Sequence, residues 1–145
     1  MYKLFVKKNI TTKELLDYVL KKYKIEDEII YNEYGKPYLK KKELYLNLSN
    51  SYDYSVCVIS DKEIGVDIEK IQIKPRLIDK ICTEEEKEKI KTSKDFTKIW
   101  VKKESYVKYL GIGIGYGLKN VDTLRKGNYK VIKKGDYYIA ICFGE

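Results

Sequence analysis

Apolar and polar residues alternate along several stretches of the chain, and this pattern predicts short β-strands, each with one buried face. The predicted strands cover residues 2–7, 29–31, 44–48, 54–59, 63–69, 129–133 and 137–143. Apolar residues at helical spacing instead predict amphipathic helices over residues 12–23 and roughly 95–110. A short polar helix is expected over residues 83–90.

Residues that cap helices mark where these helices should begin. The stretches Thr11–Glu14 and Thr83–Glu86 fit the capping-box pattern, in which a threonine is followed three residues later by a glutamate. Ser93 or Asp95 is expected to cap the third helix.

Polar and proline-containing stretches are expected to interrupt the regular elements. Pro75 should keep residues 70–82 irregular, and Ser49–Ser51 should end a strand at residue 48. A tight turn at residues 61–62 would pair the strands on either side of it as a hairpin.

The order of elements predicts an α+β fold in a single domain that covers residues 1–145. A helix followed by strands occurs on both sides of about residue 62. We therefore expect two similar lobes, each a helix packed on a mostly antiparallel sheet. The first lobe would cover about residues 1–61 and the second about residues 62–145.

The composition limits the chemistry that the chain can carry out. The absence of histidine excludes Ser-His and Cys-His nucleophile pairs, histidine zinc sites and an imidazole general base. The three cysteines lie far apart and form no CxxC motif, so we expect buried thiols in a reducing compartment. No apolar run approaches the roughly 18 residues of a membrane helix, and the N-terminus is charged too early for a signal peptide. These features predict a cytoplasmic protein without membrane attachment.

The chain is strongly basic, with a formal net charge of +8 and a pI of about 9.1. Such a charge can attract nucleic acid, phosphate-bearing ligands or an acidic partner protein. Nearly all of it comes from lysine, so a general compositional bias explains it equally well. No basic cluster interleaved with aromatic residues indicates a nucleic-acid surface, and we expect no nucleic-acid partner.

Two acidic residues on one predicted strand form the first candidate for a site. Asp67 and Glu69 point to the same face, while the apolar residues beside them point to a core. On the later helix, Glu104 and Lys108 are four residues apart and share a face. Carboxylates with a nearby cation are typical of a site for Mg²⁺ and phosphate. The alternatives are a solvated edge strand and an ordinary exposed ion pair.

The glycine-rich run at residues 111–117 does not fit a nucleotide-binding loop. A dinucleotide fingerprint needs Gly-x-Gly-x-x-Gly between a strand and a following helix. Here glycine occupies every second position and the run follows a helix. We expect a flexible helix exit that lines a site.

Taken together, two motifs resemble those of the 4′-phosphopantetheinyl transferase family. The first is Gly65-Val66-Asp67-Ile68-Glu69. The second is Trp100-Val101-Lys102-Lys103-Glu104-Ser105-Tyr106-Val107-Lys108, followed by Gly111-x-Gly113. Upstream, Gly35-Lys36-Pro37 and Asn47-Leu48-Ser49-Asn50-Ser51 resemble two further family segments.

The position of the first motif resembles one subtype of that family. In the short, trimeric carrier-protein synthases this strand lies at the N-terminus, whereas here it opens the second half, as in the monomeric two-lobed (surfactin-synthetase-activating) type. The resemblance implies pseudo-symmetric lobes with Mg²⁺ and coenzyme A in the cleft between them. The implied reaction moves the 4′-phosphopantetheine arm of coenzyme A to a serine hydroxyl of an acyl or peptidyl carrier protein and releases adenosine 3′,5′-bisphosphate.

The resemblance also implies roles for individual residues. Asp67, Glu69 and Glu104 would be the metal ligands, and Glu104 would also be the base for the serine, directly or through a water. Lys108 and Lys103 would steady the pyrophosphate as its bond breaks. The further coenzyme A contacts implied by the upstream segments are Lys36, Pro37, Ser49 and Asn50.

Two departures from the family pattern leave alternatives open. Many relatives carry a histidine where Asn50 stands, and asparagine lacks its positive charge. The N-terminal lobe is also short, so the residues that hold the 3′-phosphate of coenzyme A stay unassigned. The alternative to an active transferase is a catalytically degenerate paralogue that binds coenzyme A or carrier protein without transfer. A third and least favoured hypothesis is a basic nucleic-acid-binding domain.

Overall fold

The computed structural model describes residues 1–113 and 117–145. The elements of the first half are β1 (Tyr2–Lys8), α1 (Thr12–Lys22), β2 (Ile29–Tyr31), β3 (Pro37–Leu39), β4 (Tyr45–Ser51) and β5 (Tyr54–Ser60). Those of the second half are β6 (Gly65–Lys70), α2 (Pro75–Ile81), α3 (Glu84–Glu88), α4 (Ser93–Leu110), a short 3₁₀ helix (Leu118–Asn120), β7 (Asn128–Lys134) and β8 (Tyr137–Gly144). Every helix among the described residues is too short or too polar to span a bilayer.

The described strands form three antiparallel sheets, and the two larger sheets share one topology. Their strand orders are β1-β5-β4 and β6-β8-β7, while β2 and β3 form a separate hairpin. In each larger sheet the chain leaves an outer strand, passes through helix and returns as a hairpin whose last strand is central. The α+β class is therefore confirmed, and the lobe boundary near residue 62 stays a prediction.

The main core lies between the two larger sheets, with a helix on the outer side of each. Val56 and Val58 of β5 pack against Val66 and Ile68 of β6 and against Ile139 of β8. The opposite face of β5 packs on α1, and the opposite face of β8 packs on α4. Because the central strands bury both faces, apolar burial stabilises all four layers at once.

The strands on either side of residues 61–62 do not form the predicted hairpin. β5 pairs with β1 and β4, whereas β6 pairs with β8. Both strands bury apolar residues in the core between the sheets, so they pack face to face instead of sharing a ladder. The segment between them carries the chain from one sheet to the other.

Two stretches predicted to be irregular are regular. Pro75 begins α2, because a proline at the first helical position lacks only an amide that would have no partner within the helix. Ser49–Ser51 continue β4, since they pair with β5 to the end of the strand. The N-cap of α4 is Thr92, whose hydroxyl accepts a hydrogen bond from the amide of Asp95, and not Ser93 or Asp95.

Other local predictions are confirmed. The capping boxes at Thr11–Glu14 and Thr83–Glu86 are both present. The cysteines Cys57, Cys82 and Cys142 are free and buried, and burial raises the pKa of each thiol.

Candidate active site between the two sheets

The close approach of β6 to α4 depends on Gly65. A Cβ at this position would collide with the carbonyl oxygen of Ser105 and with the backbone of Tyr109. Backbone atoms inside a helix cannot move aside, so only glycine lets the strand lie this close. The first residue of the strand motif thereby brings Asp67 and Glu69 next to the helix.

Asp67 is buried, so the alternative of a solvated strand face is wrong. The residue is 4% exposed. Its Oδ1 accepts a hydrogen bond from Ser49 Oγ at 2.9 Å and lies 3.9 Å from the ammonium of Lys108. Its Oδ2 is buried and has no hydrogen-bond partner among the described residues. Since a buried carboxylate oxygen without a donor is costly, Asp67 can take a further positive ligand.

Burial raises the pKa of all three acidic residues of the site, and the charge of Asp67 raises that of both glutamates further. Burial raises the pKa of Glu69, and the charges of Asp67 and Glu104 raise it further. Burial and the charge of Asp67 also raise the pKa of Glu104, while the Lys108 charge and a hydrogen bond from Trp100 oppose them. The pKa of Asp67 is raised by burial, against the opposing Lys108 charge. Carboxylates that repel one another in this way favour a bound cation.

The donors fit Mg²⁺ as a partial set of ligands. Mg²⁺ prefers carboxylate oxygens and keeps several waters or phosphate oxygens in its shell. The carboxylates of Asp67, Glu69 and Glu104, with the partnerless Oδ2, supply that chemistry. Within residues 1–113 and 117–145, no group of three His, Cys, Asp or Glu side chains is placed to hold one ion as it stands. Any cation here would therefore need ligands beyond these side chains.

Lys108 connects α4 to the first sheet. Its ammonium donates a hydrogen bond to the carbonyl of Leu48 in β4 at 2.9 Å. The side chain keeps 32% of its surface exposed. Lys108 is thus held beside Asp67 and can still reach a ligand in the adjoining cavity.

A cavity of about 250 Å³ opens beside these residues. Glu104, Val107 and Lys108 of α4 form one wall. The other lining residues come from the β2–β3 hairpin, β4 and the chain after α4, and are Tyr34, Gly35, Lys36, Pro37, Asn47, Leu48, Gly111, Gly113 and Leu118. Gly111 and Gly113, in the first part of the glycine-rich run, line this cavity. The prediction that the run is flexible and lines a functional site stays a prediction, and residues 114–116 lie outside the described chain.

The ammonium of Lys36 is built into the wall of this cavity. Its Nζ donates to Glu63 Oε1 at 2.6 Å and to the carbonyls of Ile64 and Tyr109, each at 3.0 Å. An ammonium has three protons, and each has an acceptor here. Lys36 therefore ties the hairpin to β6 and α4. Its predicted contact with coenzyme A stays a prediction, and its ammonium already has three acceptors within the protein.

Lys103 does not join the other predicted site residues. It is fully buried, pairs with Glu86 at 2.8 Å, and donates to the carbonyls of Leu118 and Val121. Successive helical residues point about 100° apart, so Lys103 faces α3 when Glu104 faces the cavity. This placement does not support the prediction that Lys103 steadies a pyrophosphate.

The remaining predicted coenzyme A contacts occupy different environments. Pro37 lines the cavity. Ser49 is buried and donates its hydroxyl to Asp67. Asn50 is exposed on the other face of β4 and is not part of the cavity wall. Only Pro37 of these residues lies at the cavity.

Sequence reasoning missed two residues that support the site. Asn47 accepts a hydrogen bond from the amide of Val66 at 2.9 Å. The ring of Trp100 lies near that of Phe96, with 5.7 Å between their centroids, and a hydrogen bond from Trp100 acts to lower the pKa of Glu104 against the larger effect of burial. One signal was available for Trp100, which precedes Glu104 by one helical turn. For Asn47 the signal was its place in the segment Asn47–Ser51 that resembles the family, although its alternation with leucines is that of an outward-facing strand residue.

Comparison with known proteins identifies the family. A family model of the 4′-phosphopantetheinyl transferase superfamily matches residues 63–145, which contain β6, α4 and the second sheet. The match covers more than half of the chain, and the chain belongs to this superfamily.

Similar proteins are found in bacteria and in an amphibian. A 4′-phosphopantetheinyl transferase of Bacillus subtilis is 33% identical over 119 residues, which cover 75% of this chain and 49% of that protein. The 4′-phosphopantetheinyl transferase gsp of Aneurinibacillus migulanus is 36% identical over 90 residues, which cover 57% of this chain and 38% of that protein. An L-aminoadipate-semialdehyde dehydrogenase-phosphopantetheinyl transferase of Xenopus laevis is 28% identical over 110 residues, covering 61% and 36%. The chain thus spans half or less of the length of these relatives.

Proposed function

We propose that the chain transfers the 4′-phosphopantetheine arm of coenzyme A to a serine hydroxyl of an acyl or peptidyl carrier protein. The reaction would depend on Mg²⁺ and release adenosine 3′,5′-bisphosphate. The observation that carries this proposal is the buried carboxylate of Asp67, which lies 3.9 Å from the Lys108 ammonium and whose charge acts on both Glu69 and Glu104, in a chain of the superfamily. These groups lie next to a cavity with room for part of a ligand.

The residues of the site would divide the chemistry between them. Asp67, Glu69 and Glu104 would hold Mg²⁺, which supplies Lewis acidity at the phosphate. The serine oxygen would bond to the phosphorus that carries pantetheine, and the bond from that phosphorus to the bridging oxygen would break. Glu104 would accept the serine proton through a water, and Lys108 would offset charge on the departing bisphosphate.

Coenzyme A would occupy the cavity between the hairpin, β4 and α4. Pro37 would contact it directly, and Lys36 would keep the wall in place through its bonds to Glu63 and two carbonyls. Asn50 would make contact only with a part of coenzyme A that extends beyond the cavity. The net charge of +8 would attract an acidic carrier protein to a monomeric enzyme.

Mass spectrometry of carrier proteins tests this proposal. Candidate acyl and peptidyl carriers are incubated with coenzyme A in Mg²⁺ or in EDTA, and the mass of one phosphopantetheine is expected only with Mg²⁺. Asp67→Ala should abolish loading, whereas Asp136→Ala, at an exposed turn, should not. Unchanged loading by Asp67→Ala would refute the metal assignment. Calorimetry that shows coenzyme A binding without loading of any carrier would favour the degenerate paralogue.

A further inference from the structure

Side chains, and not a backbone ladder, join the two sheets at the site. β4 and β6 are outer strands of different sheets, yet they lie side by side. Asn47 Oδ1 of β4 accepts the amide hydrogen of Val66 in β6 at 2.9 Å. Two residues farther along, Ser49 Oγ donates to Asp67 Oδ1, also at 2.9 Å. We call the residues Asn47, Ser49, Val66 and Asp67 the β4–β6 seam.

The seam is closed to water. Asn47 is 4% exposed, Ser49 is 6% exposed, and Val66 is fully buried. A buried amide needs an acceptor, because an unpaired one loses its hydrogen bonds to water without replacement. Among the described residues, the side chain of residue 47 supplies this acceptor for the amide of Val66. Residue 47 must therefore be a hydrogen-bond acceptor with a side chain of about the length of asparagine, and not simply any polar residue.

The bond from Asn47 acts one peptide away from Asp67. The hydrogen bond to the amide of Val66 fixes the position of the β6 backbone next to Asp67, and so the point at which the Asp67 side chain is attached. Lys108 ties α4 to the same part of β4, through the carbonyl of Leu48. Residues 47–49 consequently contact both elements that carry the candidate metal ligands, and Asn47 also lines the cavity.

We propose that Asn47 is a positioning residue that sets the geometry of the acidic site through the amide of Val66. Ser49 completes this action by orienting the Asp67 carboxylate. The inference rests on the proposed function, because it assigns Asn47 a purpose at the proposed metal ligands. Replacing a residue that holds a metal-ligating residue in position usually changes the affinity for the metal.

Mn²⁺ affinity, measured by electron paramagnetic resonance with coenzyme A present, tests the inference. Asn47→Leu keeps the size of the side chain and removes the acceptor. We expect it to weaken Mn²⁺ binding about tenfold to hundredfold. The matched control is Ser55→Ala on β5, which removes a buried hydrogen bond to the carbonyl of Ile10 on the far side of the sheet. This control should lower the melting temperature and leave Mn²⁺ affinity unchanged.

Hydrogen exchange of the Val66 amide supplies a second readout that does not depend on metal. Protection of this amide should fall in Asn47→Leu and persist in Ser55→Ala. If Asn47→Leu does not fold, Ser49→Ala tests the seam in its place, and it should also weaken Mn²⁺ binding while Val66 stays protected.

Each outcome separates this inference from the proposed function. Unchanged Mn²⁺ affinity in Asn47→Leu, or in Ser49→Ala where that variant replaces it, would overturn the positioning role alone. An equal loss of Mn²⁺ affinity in Ser55→Ala would also overturn it, because the loss would then reflect lower protein stability and not the position of Asp67. A parent protein that binds no Mn²⁺ with coenzyme A present would overturn both the proposed metal site and the positioning role.

Discussion

At the scale of single residues, Gly65 shows how one missing side chain positions a site. Its backbone lies against the carbonyl of Ser105 and the amide of Tyr109, so the strand and the helix approach without side chains between them. The acidic residues on these two elements then act on each other across a short distance. The Gly-Val-Asp-x-Glu motif is therefore a packing motif as well as a source of ligands.

Replacing Gly65 by alanine should destabilise the protein strongly. The added methyl group would collide with helix backbone, so β6 and α4 must separate, and we expect a loss of about 3 kcal/mol in the free energy of unfolding. Urea denaturation followed by circular dichroism measures this loss. Gly144→Ala is the control, because its methyl group meets mainly the movable side chain of Asn128. A loss in Gly65→Ala no larger than in the control would contradict the packing argument.

Replacing Asp67 by asparagine should separate stability from activity. The change removes a buried charge that is close to other carboxylates, so without metal we expect the free energy of unfolding to rise by about 1 kcal/mol. Denaturation in EDTA measures the gain, and the carrier-loading assay should show no transfer by the same variant. A lower free energy of unfolding in EDTA would mean that the interactions of Asp67 with Ser49 and Lys108 outweigh its repulsion from the other carboxylates. That result would contradict the prediction.

The residue types of the acidic site were predictable, but the partners of its lysines were not. Asp67, Glu69 and Glu104 follow from strand alternation and from the resemblance. Beyond the effect of burial, the charge of Asp67 raises the pKa of both glutamates, but no three acidic side chains among the described residues are placed to hold one ion as they stand. Their role as metal ligands stays a proposal. Lys36 was predicted to contact coenzyme A and Lys103 to steady the pyrophosphate, yet each ammonium is paired with a glutamate and with backbone carbonyls. Those acceptors lie on other elements, and no local pattern reveals which buried acid a lysine will reach.

At the scale of elements, the buried ion pair of Lys103 and Glu86 connects α4 to α3 and to the segment that follows α4. Glu86 accepts hydrogen bonds from the amide and the hydroxyl of Thr123, and Lys103 donates to the carbonyl of Leu118. Leu118 is part of the cavity wall. The pair therefore holds one side of the proposed coenzyme A cavity, although neither residue touches it.

This pair should make the free energy of unfolding depend on pH in the acidic range. Burial acts to raise the pKa of Glu86, but the hydrogen bonds from Lys103, Thr123 and the backbone of Thr83 outweigh it and lower the pKa. Between the lowered folded value and the ordinary carboxyl value near 4.5, the unfolded chain binds more protons than the folded chain. Stability from Glu86 is therefore present above that ordinary value and is lost as the pH falls through the folded pKa.

Denaturant unfolding at a series of pH values measures this dependence. The double variant Glu86→Gln/Lys103→Met removes both charges, and its stability should fall less steeply below about pH 4.5 than that of the parent. Parallel curves for parent and variant would show that Glu86 contributes nothing to the acid dependence.

Element boundaries were predictable where a local signal decides them. The capping boxes of α1 and α3 needed only Thr11–Glu14 and Thr83–Glu86. The prediction failed at Ser49–Ser51, because pairing with β5 and the bond from Ser49 to Asp67 keep these polar residues in the strand. Pro75 was misread because its effect depends on its position in the helix.

At the scale of the whole molecule, two sheets of one topology enclose the core, and the candidate site lies at their junction. The predicted hairpin across residues 61–62 was wrong, because alternation predicts strands without saying which strands pair. Both β5 and β6 are apolar enough to be partners, and the choice between pairing and packing is made by the rest of the fold. The order of elements predicted only a helix followed by strands in each half, and the shared strand order of the two sheets is known from the structure.

The net charge should affect carrier loading by changing the rate at which the enzyme and an acidic carrier protein associate. With a charge of +8, the kcat/KM for an acidic carrier should fall severalfold as NaCl rises from low to physiological strength, because salt screens exposed charges. The kcat at saturating carrier should change little. Steady-state loading at several salt concentrations measures both, and a carrier with fewer acidic residues serves as the control. Equal salt effects on both carriers would contradict electrostatic attraction.

The contact between β4 and β6 also bears on how copies of the chain behave at high concentration. In the two larger sheets it leaves β1 and β7 as the strands whose outer hydrogen-bonding groups can meet another molecule. These strands carry exposed lysines, which are Lys3, Lys7, Lys8, Lys130, Lys133 and Lys134. Two lysine-bearing strands repel each other when they align, so strand addition between copies is disfavoured. The lysines on β1 and β7 thus disfavour edge-to-edge aggregation through the two larger sheets.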